Sequence, residues 1–153
     1  LQILDRHGLK LSDIQGVIGS LDPLPGGKAF LDELRARVQV VILSDTFEQF
    51  AEPLLRKLDR PTLLCHRLTV ADDRIADYQI RIADQKQKAV TALQAMNYRV
   101  IAAGDSFNDI AMLQAADVGY LFRAPANVKQ HHPNFTAVDA YADLLGLIQG
   151  QLG

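Results

Sequence analysis

The chain has 153 residues, 48% hydrophobic and 22% charged, the proportions of one globular domain able to bury about two thirds of its unfolded surface. Its 16 basic and 18 acidic residues give a net charge of −2 and are evenly spread, with no basic stripe to bind nucleic acid or an anionic membrane. No run approaches the ~20 apolar residues of a membrane span, and the single cysteine, Cys65, excludes an internal disulfide and fits a reducing, cytoplasmic compartment.

The chain opens on Leu1 rather than Met, inside a helix-like pattern and without a basic-then-apolar signal segment. That opening predicts a chain cut upstream, with processing as the alternative. Leu1, Ile3, Leu4 and Leu9 recur at helical spacing, with Gly8 as the stop. Ser12 then caps a second short helix carrying Ile14, Val17 and Ile18. Asp22 to Gly27 is dense in turn residues and marks the predicted boundary, so residues 1–22 and 23–153 form two regions. Beyond it an amphipathic helix runs from about Gly27 to Arg37. Val40 to Leu43 is a β-branched apolar run suited to a strand covered on both faces, and a helix follows from Phe47 to Leu58. Thr62 to His66 is another short strand. Arg67 to Ile82 alternates on either side of Asp72-Asp73 and predicts a β-hairpin. Asp84 to Asn97 is helical, Arg99 to Ala103 is a buried strand, and Asp109 to Ala115 is a helix. Val118 to Phe122 is a strand, a short helix begins near Val128, and a last helix spans Ala140 to Ile148. Strands alternating with helices imply a parallel sheet in a layered α/β domain.

Ligands in such sheets gather beyond the carboxyl ends of the strands, and three polar groups fall there. Ser44-Asp45-Thr46 follows the first apolar strand, where a hydroxyl and the amides opening a helix can hold a phosphate; the alternative is a simple helix cap. Gly104-Asp105-Ser106-Phe107-Asn108-Asp109 follows the strand ending at Ala103. Gly104 allows a sharp turn, and carboxylates at Asp105 and Asp109 repel unless a hard divalent cation such as Mg2+ lies between them. Capping by Asp105 or Ser106 is the alternative there and leaves Asp109 unexplained. Lys86 opens a helix against its dipole, a placement that suits an ammonium aimed at a phosphate; ordinary solvent exposure is the alternative, and Lys88 is equally eligible.

A strand ending in Ser, a downstream lysine and a strand ending in Gly-Asp-x-x-x-Asp, spaced by about 40 and about 20 residues, resemble the second, third and fourth motifs of haloacid dehalogenase-like phosphatases. The stretches Val-Val-Ile-Leu-Ser-Asp-Thr-Phe, Pro-Thr-Leu-Leu-Cys-His and Arg-Val-Ile-Ala-Ala-Gly-Asp-Ser are similar to the bifunctional phosphoserine phosphatase/homoserine phosphotransferase branch. The resemblance covers essentially the whole chain. It implies a three-layer, Rossmann-like α/β core with a parallel sheet over 23–153, lacking its first, central strand, and a remnant of a small helical cap over 1–22. It further implies Asp105 as a Mg2+ ligand with Asp109 supporting it directly or through water. Ser44 and the Asp45 backbone would bind the phosphoryl oxygens, Lys86 would neutralise the nucleophile and the transferring phosphate, and Asn108 would hydrogen-bond substrate. Phosphoserine is the implied substrate and homoserine an implied acceptor.

The family's reaction starts from a nucleophilic Asp with a second acid two residues later, and no Asp or Glu of the chain has an acid at that spacing. By the resemblance, that pair and a substrate-recognising arginine belong upstream of Leu1, and loss of a covalent nucleophile can cost on the order of a millionfold in rate. The two readings are therefore an enzyme whose attack depends on upstream residues, and a non-catalytic module that binds Mg2+ and phosphate. A receiver domain also uses an α/β sheet and Mg2+, but needs an acidic pair after its first strand and an acceptor Asp after its third, and neither occurs. His131-His132 predicts a surface turn, and His66 a strand-end histidine. A missing central strand removes side chains worth about 1.5–3 kcal/mol each from a total of about 5–15 kcal/mol. These residues alone are thus expected to be marginally stable; a cooperative thermal melt with native-like near-UV dichroism would reject that expectation.

Overall fold

The computed structural model describes residues 8–153, so the helix predicted from Leu1 lies outside the described residues. The chain divides into two compact units, Leu1–Ala83 and Asp84–Gly153. The turn-rich Asp22–Gly27 segment falls within the first unit. No helix among the described residues is long and apolar enough to cross a membrane.

The first unit contains α1 (Leu11–Ser20), α2 (Gly27–Arg35), β1 (Val41–Phe47), α3 (Glu48–Lys57), β2 (Thr62–Ala71) and β3 (Arg74–Gln79). Its sheet has the order β1-β2-β3, with β1 and β2 parallel and β2 and β3 antiparallel. The hairpin forms as predicted: Ala71 pairs with Arg74, and Asp72 and Asp73 take φ of 49° and 60°, the left-handed pair that a two-residue hairpin turn requires. Asp73 also reaches α1. Its carbonyl accepts the Leu11 N–H at 2.8 Å and its carboxylate accepts the Ser12 N–H at 3.0 Å. The orphan amides of the α1 N-terminus are thus satisfied from the hairpin. Ser12, predicted as the cap, lies inside the first turn and donates its hydroxyl to Asp73 instead.

Pro53 sits inside α3 and cannot donate to the carbonyl of Gln49 one turn back. That carbonyl accepts the Gln15 side-chain amide of α1 at 2.8 Å. The Gln49 side chain meanwhile pairs with Leu68 of β2 like a strand neighbour, donating to its carbonyl and accepting its N–H, both at 2.9 Å. One residue therefore ties α1, α3 and β2 together.

The second unit contains α4 (Gln85–Ala95), β4 (Ile101–Gly104), a 3-10 turn (Phe107–Asp109), α5 (Ile110–Ala115), β5 (Val118–Phe122), α6 (Ala126–His131), β6 (Thr136–Val138) and α7 (Tyr141–Gln149). Its sheet, β4-β5-β6, is parallel throughout. Leu113 of α5, Leu121 of β5 and Val90 of α4 are fully buried at its centre. The described strands form two three-stranded sheets, with β1 and β4 each at an edge, the mixed α/β layers with parallel strands that were expected of a core lacking its first, central strand. β6 was not anticipated, because three residues are too few to carry a period-two signal.

Gln15→Leu leaves the Gln49 carbonyl without its donor and is expected to cost about 1–3 kcal/mol in urea unfolding. In a Pro53→Ala background, where residue 53 regains an N–H, the cost should fall by at least half.

Candidate functional site

The carboxyl end of β4 is organised by Asp109. Its carboxylate is buried, and both oxygens accept hydrogen bonds. Oδ1 takes the Lys86 ammonium at 2.8 Å. Oδ2 takes the Asp105 N–H at 3.0 Å, the Ser106 N–H at 3.1 Å and the Ser106 hydroxyl at 3.0 Å. Burial alone would raise the Asp109 pKa, but the Lys86 hydrogen bond and the two amides override it and hold the carboxyl below the usual carboxylate value. Lys86 is itself mostly buried, with 15% of its side chain exposed, whereas Lys88 is exposed. Of the two eligible lysines, α4 therefore brings Lys86 to the β4 end.

Gly104 has a steric reason rather than a torsional one. A Cβ there would lie 2.5 Å from Asp109 Cβ and 2.7 Å from its Cγ, so only glycine lets the loop fold onto the carboxylate. Asp105, Phe107 and Asn108 are exposed on this loop. The Phe107 ring meets His131 and His132 edge-on, with centroids 5.7 and 5.9 Å apart.

A divalent cation was expected at Asp105 and Asp109. Asp109 already has donors on both oxygens, while Asp105 presents an exposed carboxylate at the strand end. Mg2+ is commonly held by one or two carboxylates, with water and substrate phosphate completing its octahedron, and Asp105 suits that use. Among the described residues no group of three His, Cys, Asp or Glu side chains could hold a metal by itself.

The first unit carries the other predicted residues. β1 pairs with β2 as far as Leu43↔Leu64 and resumes at Phe47↔His66, so Ser44, Asp45 and Thr46 stand opposite Cys65 alone. This is a bulge at a strand end, which redirects backbone groups out of the ladder. The Ser44 hydroxyl accepts the Thr46 N–H at 3.2 Å, and half of the Asp45 side chain is exposed. Neither residue caps α3: Phe47 holds that position without a side-chain cap bond. The amides predicted to open a helix are instead those of the bulge. His66, read as a plain strand-end histidine, is buried with Nε2 3.9 Å from Asp45 Oδ1.

The family model described as haloacid dehalogenase-like hydrolase matches residues 3–117. The chain belongs to the haloacid dehalogenase-like hydrolases. Among curated members of that family, it is 57% identical to phosphoserine phosphatase ThrH of Pseudomonas aeruginosa, a match covering 94% of this chain and 71% of that protein. It is 56% identical to a phosphoserine phosphatase of Pseudomonas syringae pv. tomato, covering 94% of this chain and 61% of that one. The chain therefore spans about three fifths to seven tenths of these relatives. A crystal structure of a phosphoserine phosphatase in apo form superposes with a TM-score of 0.72 at 20% identity, over 87% of this chain and 70% of that one. A phospho-aspartyl intermediate analogue of phosphoserine phosphatase gives 0.71 at 20% identity, over 86% and 66%. At that identity the two structures speak for the haloacid dehalogenase-like fold alone, with its mixed α/β layers and parallel strands.

Lys86→Met leaves the buried Asp109 carboxylate without its counter-ion and is expected to cost about 3 kcal/mol in urea unfolding. Because the Asp109 pKa is lower folded than unfolded, its contribution is fully present above the unfolded value of about 3.9 and is lost as pH falls through the folded value. The stability gap between the parent and Asp109→Asn should accordingly hold at neutral pH and shrink as titration proceeds below about pH 5.

Proposed function

We propose that the full-length protein is a Mg2+-dependent phosphomonoesterase that releases phosphate from phosphoserine, completing L-serine formation in the cytoplasm. The reading extends to transfer through an aspartyl-phosphate, with homoserine as an acceptor alongside water. The nucleophile and its acid/base partner would come from outside these 153 residues, as would most of the substrate-selecting cap, of which residues 1–22 are the proposed remnant.

The observation that carries the reading is the Lys86–Asp109 pair beneath an exposed Asp105 at the carboxyl end of a parallel strand. Phosphoryl transfer depends mainly on positioning and on neutralising charge over the phosphoryl oxygens, and these residues suit that task. Asp105 would hold Mg2+, with Asp109 acting behind it by fixing the loop. The ion would supply positive charge against the transferring phosphate. Ser44 and the Asp45 amide would donate to phosphoryl oxygens, Lys86 would add a fixed cation, and Asn108 would hydrogen-bond the substrate. The names of the Pseudomonas relatives support phosphoserine as that substrate.

The test is inorganic phosphate release from phosphoserine by the full-length protein, with Mg2+ and with Mg2+ removed by chelation. Turnover is expected only with the metal, and Asp105→Asn or Lys86→Met should lower kcat by on the order of 100-fold. Absence of turnover with Mg2+ present would reject the substrate and leave family membership intact.

A further inference from the structure

We infer that Phe107 is a positioning residue: seated against His131 and His132, its ring fixes the direction in which Asn108 faces, an inference that rests on the reading above that Asn108 hydrogen-bonds the substrate. Phe107, Asn108 and Asp109 make up the 3-10 turn beyond β4. Such a turn has three residues per revolution, so its side chains leave it about 120° apart. Here the three go to three different places. Asp109 is buried, Phe107 reaches the end of α6, and Asn108 is exposed. The side-chain bonds of Asp109 run to Lys86, Asp105 and Ser106, so they fix the loop ahead of Phe107 and not the outer side of the turn. Phe107 supplies the second attachment, and two held side chains on one turn set the direction of the third.

That attachment reaches back to the sheet. The Phe107 ring meets His131 at an interplanar angle of 76° and His132 at 65°, both in the edge-to-face arrangement that the ring quadrupole favours. Each histidine is itself held. His131 Nδ1 lies 2.7 Å from the Asn127 carbonyl, one turn back on α6. The His132 N–H donates to the carbonyl of the buried Val128 at 3.1 Å. The His132 ring continues to Phe135, whose centroid is 6.4 Å away. Phe135 in turn lies against β5 at Gly119, where a Cβ would come within 3.0 Å of its ring. A chain of rings thus runs from the outer side of the loop to the middle strand of the sheet. A phenylalanine serving only the core would be covered by apolar side chains. Phe107 keeps 48% of its surface exposed and takes two imidazoles instead.

The test is phosphoserine hydrolysis by the full-length protein with Mg2+, with KM and kcat read separately. Phe107→Ala is expected to raise KM about fivefold while kcat and the Mg2+ concentration for half-maximal rate change little, because the Asp105 amide keeps its bond to Asp109. His132→Ala should raise KM in the same way, and His132→Phe, which keeps a ring at that place, should restore the parent value. In an Asn108→Ala background, Phe107→Ala should raise KM no further, since the group being aimed is gone. The inference is overturned if Phe107→Ala leaves KM unaltered, if it raises KM equally with Ala at position 108, or if His132→Phe behaves like His132→Ala. Should Phe107→Ala fail to fold, the two His132 variants decide. A parent that does not turn over phosphoserine would instead reject the substrate reading. The order parameter of the Asn108 side-chain amide then decides: it is expected to fall in His132→Ala, and an unchanged value overturns the inference.

Discussion

A carboxylate withdrawn from water stays charged only where donors replace the solvent, and Asp109 has four of them. Much of the second unit follows from that requirement. Residue 104 must be glycine because Asp109 occupies the space of its Cβ. The amides of Asp105 and Ser106 turn inward to Oδ2, which leaves the Asp105 side chain exposed on the loop. Lys86 comes close to the loop at the start of α4, in a position unfavourable to the helix dipole, and the ion pair with Asp109 offsets that cost. Two acids one helical turn apart are thereby divided in role. One is neutralised inside the protein, and the other keeps its charge outside.

The first unit solves a comparable problem without charge. Pro53 removes one donor from α3, and a neutral amide from α1 restores it. Gln49 satisfies both backbone groups of Leu68, so its side chain does the work of a strand beside β2. These bonds hold α3 to β2 immediately after the bulge, where the parallel ladder has lost its register. Uncharged bonds suit this place. A buried ion pair in their place would carry a desolvation penalty.

The parts legible from sequence were those written locally. The apolar runs, the Asp72-Asp73 turn and the Gly104–Asp109 loop each declare themselves within a few residues. What escaped was set by partners distant in the chain. Val40 to Leu43 is a clear strand, yet β1 continues to Phe47, because the ladder resumes against His66 and no local pattern encodes that register. The α1 cap comes from Asp73, 61 residues beyond Ser12. The four-residue spacing of Asp105 and Asp109 signalled a repulsion that needed relief. It did not reveal that part of the relief is an ammonium 23 residues before Asp109. The reason for Gly104 was likewise hidden, since a torsional need and a steric one leave the same letter in the sequence.

The disposition of the basic residues bears on how an anionic substrate would be held. Lys28 is shared between Asp32 and Asp59, Arg37 pairs with Glu33, and Arg56 and Arg60 both hold Glu52. Lys57 is taken by Asp22 and Lys129 by Asp139. Exposed pairs of this kind add little stability, but among the described residues they set basic side chains against acidic neighbours, in keeping with a net charge of −2. Even Lys86 meets a carboxylate. In the proposed reading, a phosphate dianion would draw its affinity from short-range donors such as the amides of residues 44–46, and from a cation that arrives with its own charge. An exposed acid at the end of β4 is what that cation would require, and this is why Asp105, the least engaged of the loop's two acids, is the one on which the proposed chemistry turns.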